Sequence, residues 1–169
     1  MPTADALPPA RKLRELVLAL SPCGLPNARL AAAAGRAGAV GVLDLGRAGP
    51  RARRALELAS WWTRAAHGDG GGFGVRAGAG CPIDVEELEL LAPGRVDVVV
   101  LGAGSPWWPD DPQLAPYRII SEVTSLDEAR AAAGAGVYGL IARGSECGGA
   151  VGELSSFRSE EHTSELQSP

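Results

Sequence analysis

Leu16 to Leu45 reads LVLALSPCGLPNARLAAAAGRAGAVGVLDL. The apolar run Leu16–Leu20 is broken by Ser21-Pro22-Cys23-Gly24-Leu25-Pro26. A short apolar run bounded by turn residues fits a strand buried on both faces. Asn27 is placed to cap the segment Ala28–Ala39, which is rich in strong helix formers. Val40–Leu45 (VGVLDL) is the next apolar run. Strand, helix and strand therefore follow one another with short connections, which is a βαβ unit.

The same alternation continues along the chain. Arg51–Ala66 carries Leu56, Leu58, Ala59 and Trp62 near helical spacing and predicts a helix, with His67–Gly72 (HGDGGG) as the loop after it. Phe73–Ala77 (FGVRA) predicts a third strand, and Ile83–Leu91 a short helix. Val96–Gly102 (VDVVVLG) is a dense β-branched run and predicts the fourth strand. Ser105–Pro116 is a loop rich in Pro and Trp. Arg118–Val123 predicts a fifth strand, and Val137–Ala142 a sixth. Between them Ser125 is placed to cap a helix over Leu126–Ala133, with Glu128 as its capping-box partner. Six strands in this arrangement fit either an open doubly wound sheet or part of a TIM barrel. A complete TIM barrel takes about 250 residues, so a barrel reading makes this chain roughly the first six βα units of eight.

Composition narrows the function classes. The chain has 169 residues, 46% of them hydrophobic and 21% charged, with a net charge of −4. That is a globular balance, and no basic stretch with interleaved aromatics points to nucleic acid. No run of about 18 apolar residues predicts a membrane span. The N-terminus lacks the apolar core of a secretory signal. Three cysteines without CxxC spacing argue against a disulfide framework or a structural metal, and a reducing, cytoplasmic setting is expected. Residues 158–169 (RSEEHTSELQSP) hold no Gly or Ala, unlike everything before them. They read as a non-native, adapter-like tail behind a truncated barrel domain over residues 1–157.

In parallel α/β folds the ligand lies at the C-terminal ends of the strands. Special sequence follows the strands here: Ser21-Pro22-Cys23-Gly24 after the first, Gly78-Ala79-Gly80-Cys81 after the third, Gly102-Ala103-Gly104 after the fourth, and Gly144-Ser145-Glu146-Cys147-Gly148-Gly149 after the sixth. Turn chemistry in a Gly-rich chain accounts for any one of these loops, while four on one face are read equally as turn chemistry or as a ligand site. Gly102-Ala103-Gly104 is not a dinucleotide fingerprint, because Trp107 takes the third glycine position and Pro106 and Pro109 stand where a helix must open. Trp107 and Trp108 are candidates to wall a pocket or simply to pack the barrel rim. Arg51-Ala52-Arg53-Arg54 reads as a solvated helix face. Glu146 is read either as an acceptor shaping its glycine turn or as a solvated loop charge.

The opening stretch and the segment Tyr138–Gly152 (YGLIARGSECGGAVG) resemble the nitronate monooxygenase, or 2-nitropropane dioxygenase-like, flavoproteins. The continuation Gly144–Phe157 is similar to such domains fused to modular polyketide synthases. The resemblance spans roughly Leu16–Gly152 and implies a TIM barrel with non-covalent FMN. It implies flavin redox chemistry on small acidic carbon compounds or enoyl thioesters. By it, Pro22, Cys23 and Gly24 lie against the flavin ring and Gly148 meets FMN through its backbone. Arg143 stands where the family usually has Gln, and Arg76 where it usually has Asn. Ala150 stands at the usual position of the catalytic His, so the catalytic residue is unknown.

A nitroalkane site needs a group to share a proton near pH 7, and Ala150 cannot do so. His67 falls before the third strand, at the wrong end of a barrel, and His162 falls in the tail. Hydride transfer to an enoyl thioester asks less of that position, because the cofactor carries the hard step. The two arginines are read either as favouring an anionic flavin or a phosphopantetheine phosphate, or as marking a domain that has lost FMN. The expected function is an FMN-dependent oxidoreductase domain, nitronate monooxygenase- or enoyl reductase-like, within a multidomain polyketide or fatty-acid-type synthase. Its expected partners are a small-molecule or acyl-thioester substrate and the other synthase domains. The alternatives are a catalytically silent scaffold domain of such a synthase and an unrelated phosphate-binding α/β enzyme.

Overall fold

The computed structural model describes residues 16–67, 72–145, 147 and 151. Its elements run β1 (Leu18–Leu20), α1 (Ala28–Arg36), β2 (Val40–Asp44), α2 (Gly49–His67), β3 (Phe73–Ala77), α3 (Val85–Leu91), β4 (Val96–Leu101), β5 (Arg118–Val123), α4 (Leu126–Gly134) and β6 (Gly139–Ala142). The six strands form one sheet in sequence order, and every neighbouring pair is parallel. Strict sequence order with right-handed crossovers is the winding of a barrel, not of a doubly wound sheet, whose order reverses at a switch point. The fold is a partial TIM barrel.

Strands β2 to β5 separate two apolar layers. Leu43, Leu45, Phe73, Val75, Ala77, Val99 and Ile119 face outward into the core shared with the helices. Val42, Val98, Val100 and Ile120 face inward, with Leu18, Leu20, Val40 and Ile141 packed around them. This period-two division explains why the strands read as unbroken apolar runs. One residue escapes it. The β3–β4 register shifts between Phe73 and Gly74, opposite Val96 and Val98, so Asp97 is bulged out and exposed.

The helices seat closely. Gly41 in β2 carries α1: a Cβ there would lie 1.9 Å from the carbonyl oxygen of Ala31. Asn27 Oδ1 accepts from the Leu30 amide at 3.0 Å, as its position predicts. Helix α1 stops at Arg36, three residues short of the expected Ala39, because Gly38 takes φ +88° and its amide turns back to Gly35. Ser125 Oγ accepts from the Glu128 amide at 3.2 Å. The Glu128 carboxylate reaches one residue further back than a capping box requires, to the amide and hydroxyl of Thr124. No α-helix bridges β4 and β5; the loop there holds only a 3-10 turn at Pro112–Leu114. Trp107 and Leu114 from that loop fill the outer core instead. Among the described residues no helix is long and apolar enough to cross a membrane. The tail 158–169 lies outside the described residues.

Candidate active site at the C-terminal ends of the strands

Above the inner apolar layer, the same inward-facing rows end in charge. Val42 is followed two residues on by Asp44, Gly74 by Arg76, Val100 by Gly102 and Ile120 by Glu122. Arg143 follows β6 directly. These side chains form one network. Arg76 Nη1 donates to Asp44 Oδ2 at 2.7 Å. Arg76 Nε and Nη2 donate to Glu122 Oε1 and Oε2 at 2.9 and 2.6 Å, a two-bond fork. Arg143 Nη1 donates to Glu122 Oε1 at 2.8 Å. The Asp44 and Glu122 side chains are 3% and 2% exposed, so the pairs are largely out of water.

Gly102 makes the longest reach possible. Arg76 on β3 must pass over β4 to meet Glu122 on β5, and Gly102 is the residue of β4's inward row at that level. A Cβ there would lie 2.4 Å from Arg76 Nη2 and 3.0 Å from Glu122 Oε2. The missing side chain is the space the guanidinium uses.

Asp44 also fixes the loop after β1. Its Oδ1 accepts from the amides of Gly24 at 3.0 Å and Gly46 at 2.8 Å, and Ser21 Oγ accepts from the Asp44 amide at 2.8 Å. Gly24 takes φ +75° in this turn, a conformation suited to glycine. Pro22 and Cys23 on the same loop are exposed. The structure thus brings the Pro22–Cys23–Gly24 loop, Arg76 and Arg143 to one end of the sheet and ties them together through Asp44 and Glu122. Gly148 and Ala150 lie outside the described residues, as does Glu146.

The network's electrostatics follow from its count of two guanidiniums and two carboxylates. Burial alone pushes the Glu122 carboxyl up, but the bonds and charges of Arg76 and Arg143 outweigh it and hold the group below the ordinary value of 4.5. Arg76 is held firmly protonated, above all by Glu122. Each arginine has a carboxylate partner within the protein, so this end of the barrel does not present the surplus positive charge that arginine at these two positions implies.

Beside the network lies a cavity of about 450 Å3, between the β4–β5 loop and α4. Gly102, Trp107, Trp108, Glu122, Val123 and Ala132 are among its lining residues. The two tryptophans divide the roles foreseen for them: Trp107 is buried in the outer core while Trp108 is 70% exposed, and both wall the cavity. Cys23, Cys81 and Cys147 are free thiols, and each follows the C-terminal end of a strand. Burial pushes the Cys81 thiol up. Among the described residues no group of three or more His, Cys, Asp or Glu is placed to hold a metal ion.

Among solved structures, FabK from Thermotoga maritima matches 83% of this chain with a TM-score of 0.64 and 28% sequence identity. The chain is a partial TIM barrel similar to FabK. It spans 44% of the length of that protein. The likeness supports the resemblance to flavin-type barrels carried by Leu16–Gly152. No family model matches the chain, and no curated protein does.

Asp44 and Glu122 are the residues that sequence reading misses. The signal was present in the strands themselves. VGVLDL and RIISEV each place one carboxylate on the strand position two residues after an inward apolar residue (Val42 or Ile120), where an unpaired charge is too costly to keep.

The donor chemistry of this end fits the pyrimidine edge of a flavin. Two N–H hydrogens of Arg76 remain beyond its three bonds to Asp44 and Glu122, so the guanidiniums of Arg76 and Arg143 would offer donors to an acceptor-rich ring edge where the family resemblance implies Asn and Gln amides.

Proposed function

We propose that this chain is part of an FMN-dependent oxidoreductase of the nitronate monooxygenase and enoyl reductase kind, acting on an acyl thioester within a multidomain synthase. The observation that carries the reading is the joining of the Gly24 loop, Arg76 and Arg143 by Asp44 and Glu122 in a FabK-like barrel. Pro22, Cys23, Gly24 and Gly148 would hold the flavin ring through the backbone, with Arg76 and Arg143 on its polar edge. Bound FMN would supply hydride transfer.

The chain's own residues have separable tasks. Asp44 sets the loop after β1 by holding the Gly24 amide. Glu122 orients both guanidiniums and cancels their charge, so they act as hydrogen-bond donors more than as an anion trap. The cavity beside Trp107 and Trp108 is open to solvent with a mainly apolar wall, which suits the apolar part of an acyl group. Ala150 offers no proton, which favours reduction of an enoyl thioester over oxidation of a nitronate.

The second reading, a catalytically silent scaffold domain, draws support from Ala150 and from the neutralised arginines. Expression of the complete gene product and its visible absorbance separate the two. The flavoprotein reading expects a yellow protein that releases FMN on denaturation. A colourless protein that takes up no added FMN overturns it in favour of the scaffold. The 169-residue chain alone should bind FMN only weakly, because the resemblance puts the phosphate grip after strands 7 and 8. Sub-micromolar affinity in a fluorescence titration of this chain would overturn that barrel register.

A further inference from the structure

We propose that the groove between α1 and α2, on the outside of the barrel, is a binding site for an organic phosphate monoester. The groove has a volume of about 490 Å3. Arg29 from α1 and Arg51 and Arg54 from α2 line it, over a floor that includes Ala55, Leu58 and Trp62, and no carboxylate is in the lining. It is separate from the network inside the barrel and does not depend on the flavin reading.

Three cations gathered on a chain of net charge −4 call for a reason. Surface arginines repel one another when they share a groove without counter-charges. Arg53, on the same helix, satisfies its guanidinium with Glu87 of α3. The three groove arginines are not matched in this way. Among the described residues the Arg51 side chain makes no hydrogen bond or ion pair, and the Arg29 side chain makes only a ring contact, its Cζ 6.0 Å from the Trp62 centroid. Arg54 meets Glu57 at 3.2 Å, with both side chains at least half exposed, an exposed pair that a stronger anion displaces easily. The groove also sits at the starts of both helices, whose first turns hold no acidic residue, so their dipoles add to the positive field. By contrast α3 and α4 carry Glu86 and Glu87, and Asp127 and Glu128, in theirs.

Arginine forks match phosphate oxygens two at a time, and a dianionic monoester makes the most of three guanidiniums. The floor decides between a bare anion and an esterified one. Leu58, Ala55 and the Trp62 ring offer apolar surface next to the charges, so the ligand has an apolar or aromatic body attached to its phosphate. An acidic peptide would use the charge but would not need the apolar floor.

Isothermal titration of the full chain tests this, with phenyl phosphate as the probe and inorganic phosphate, phenol and hexaglutamate as comparators. Phenyl phosphate is expected to bind about tenfold or more tightly than inorganic phosphate, with no measurable binding of phenol. The double variant R51Q/R54Q should lose about tenfold in affinity for phenyl phosphate, and R51K/R54K should recover part of it. Both positions are exposed, so circular dichroism of the variants should match wild type, which separates lost binding from lost folding. Unchanged binding in R51Q/R54Q, equal affinity for phenyl phosphate and inorganic phosphate, or tighter binding of hexaglutamate would each overturn the proposal. None of these outcomes bears on whether the protein carries flavin.

Discussion

Glu122 accepts three hydrogen bonds from two guanidiniums while only 2% of its side chain is exposed. A buried ion cluster is weak evidence of stabilisation relative to an apolar core, because desolvation offsets attraction. Removing one partner is different, since it strands charge in the interior. Glu122→Gln is expected to lower stability by about 3 kcal/mol, read by urea unfolding. Its pH dependence should be diagnostic. The native Glu122 pKa lies below its ordinary 4.5, so its contribution is present in full above that value and fades as the pH falls through the lower native one. Wild type should therefore lose stability below about pH 4.5 more steeply than Glu122→Gln does. Parallel acid limbs in the two proteins would show that Glu122 is not held by Arg76 and Arg143. At this scale the arginines were legible through their place in a family pattern. Their partners were not, because a pattern read along one strand does not say that Gly102 leaves room for Arg76 to reach a strand two places away.

Elements were more legible than side chains, and their ends less so than their middles. β3 and β5 fall on the residues that the apolar runs mark. β1 starts at Leu18, two residues later than its run, and α2 extends from the expected Arg51–Ala66 to Gly49–His67. The over-long reading of α1 has a definite cause. Alanine propensity continues to Ala39, but the left-handed turn at Gly38 ends the helix first, and Gly136 (φ +76°) follows α4 in the same way. The seat of α1 on β2 was hidden for a related reason: glycine in a strand signals either weakness or close approach, and only the packed structure tells which. At Gly41 it is close approach, against backbone that cannot rotate aside. Gly41→Ala should cost about 3 kcal/mol or more by displacing α1, at the upper end of overpacking effects. Asn27→Ala, which removes only the cap of the same helix, should cost about 1 kcal/mol. A chemical-denaturation series in which the cap variant is the more damaging would show that α1 is held by its own start and not by its contact with β2.

The whole molecule has two unpaired sheet edges among its described residues, because β1 bonds only to β2 and β6 only to β5. The inner layer is correspondingly uneven. Val42, Val98, Val100 and Ile120 are buried, while Leu18, Leu20, Val40 and Ile141 are only partly covered. Leu16, Val17 and Tyr138, beside the two edge strands, are 38%, 60% and 54% exposed. A closed barrel has no such edges, and exposed edge strands with apolar neighbours are templates for pairing with another chain. The 169-residue chain on its own should therefore self-associate, with a mass by light scattering that rises with concentration. Val17→Lys places a charge next to the β1 edge and should shift the distribution toward monomer without changing the circular dichroism spectrum, because Val17 is largely exposed. The outer face of the sheet offers no such edge, since its own apolar residues are packed against α1, α2 and α3. A strictly monomeric wild-type chain at high micromolar concentration would mean that these edges are covered by the chain itself and are not open to a partner.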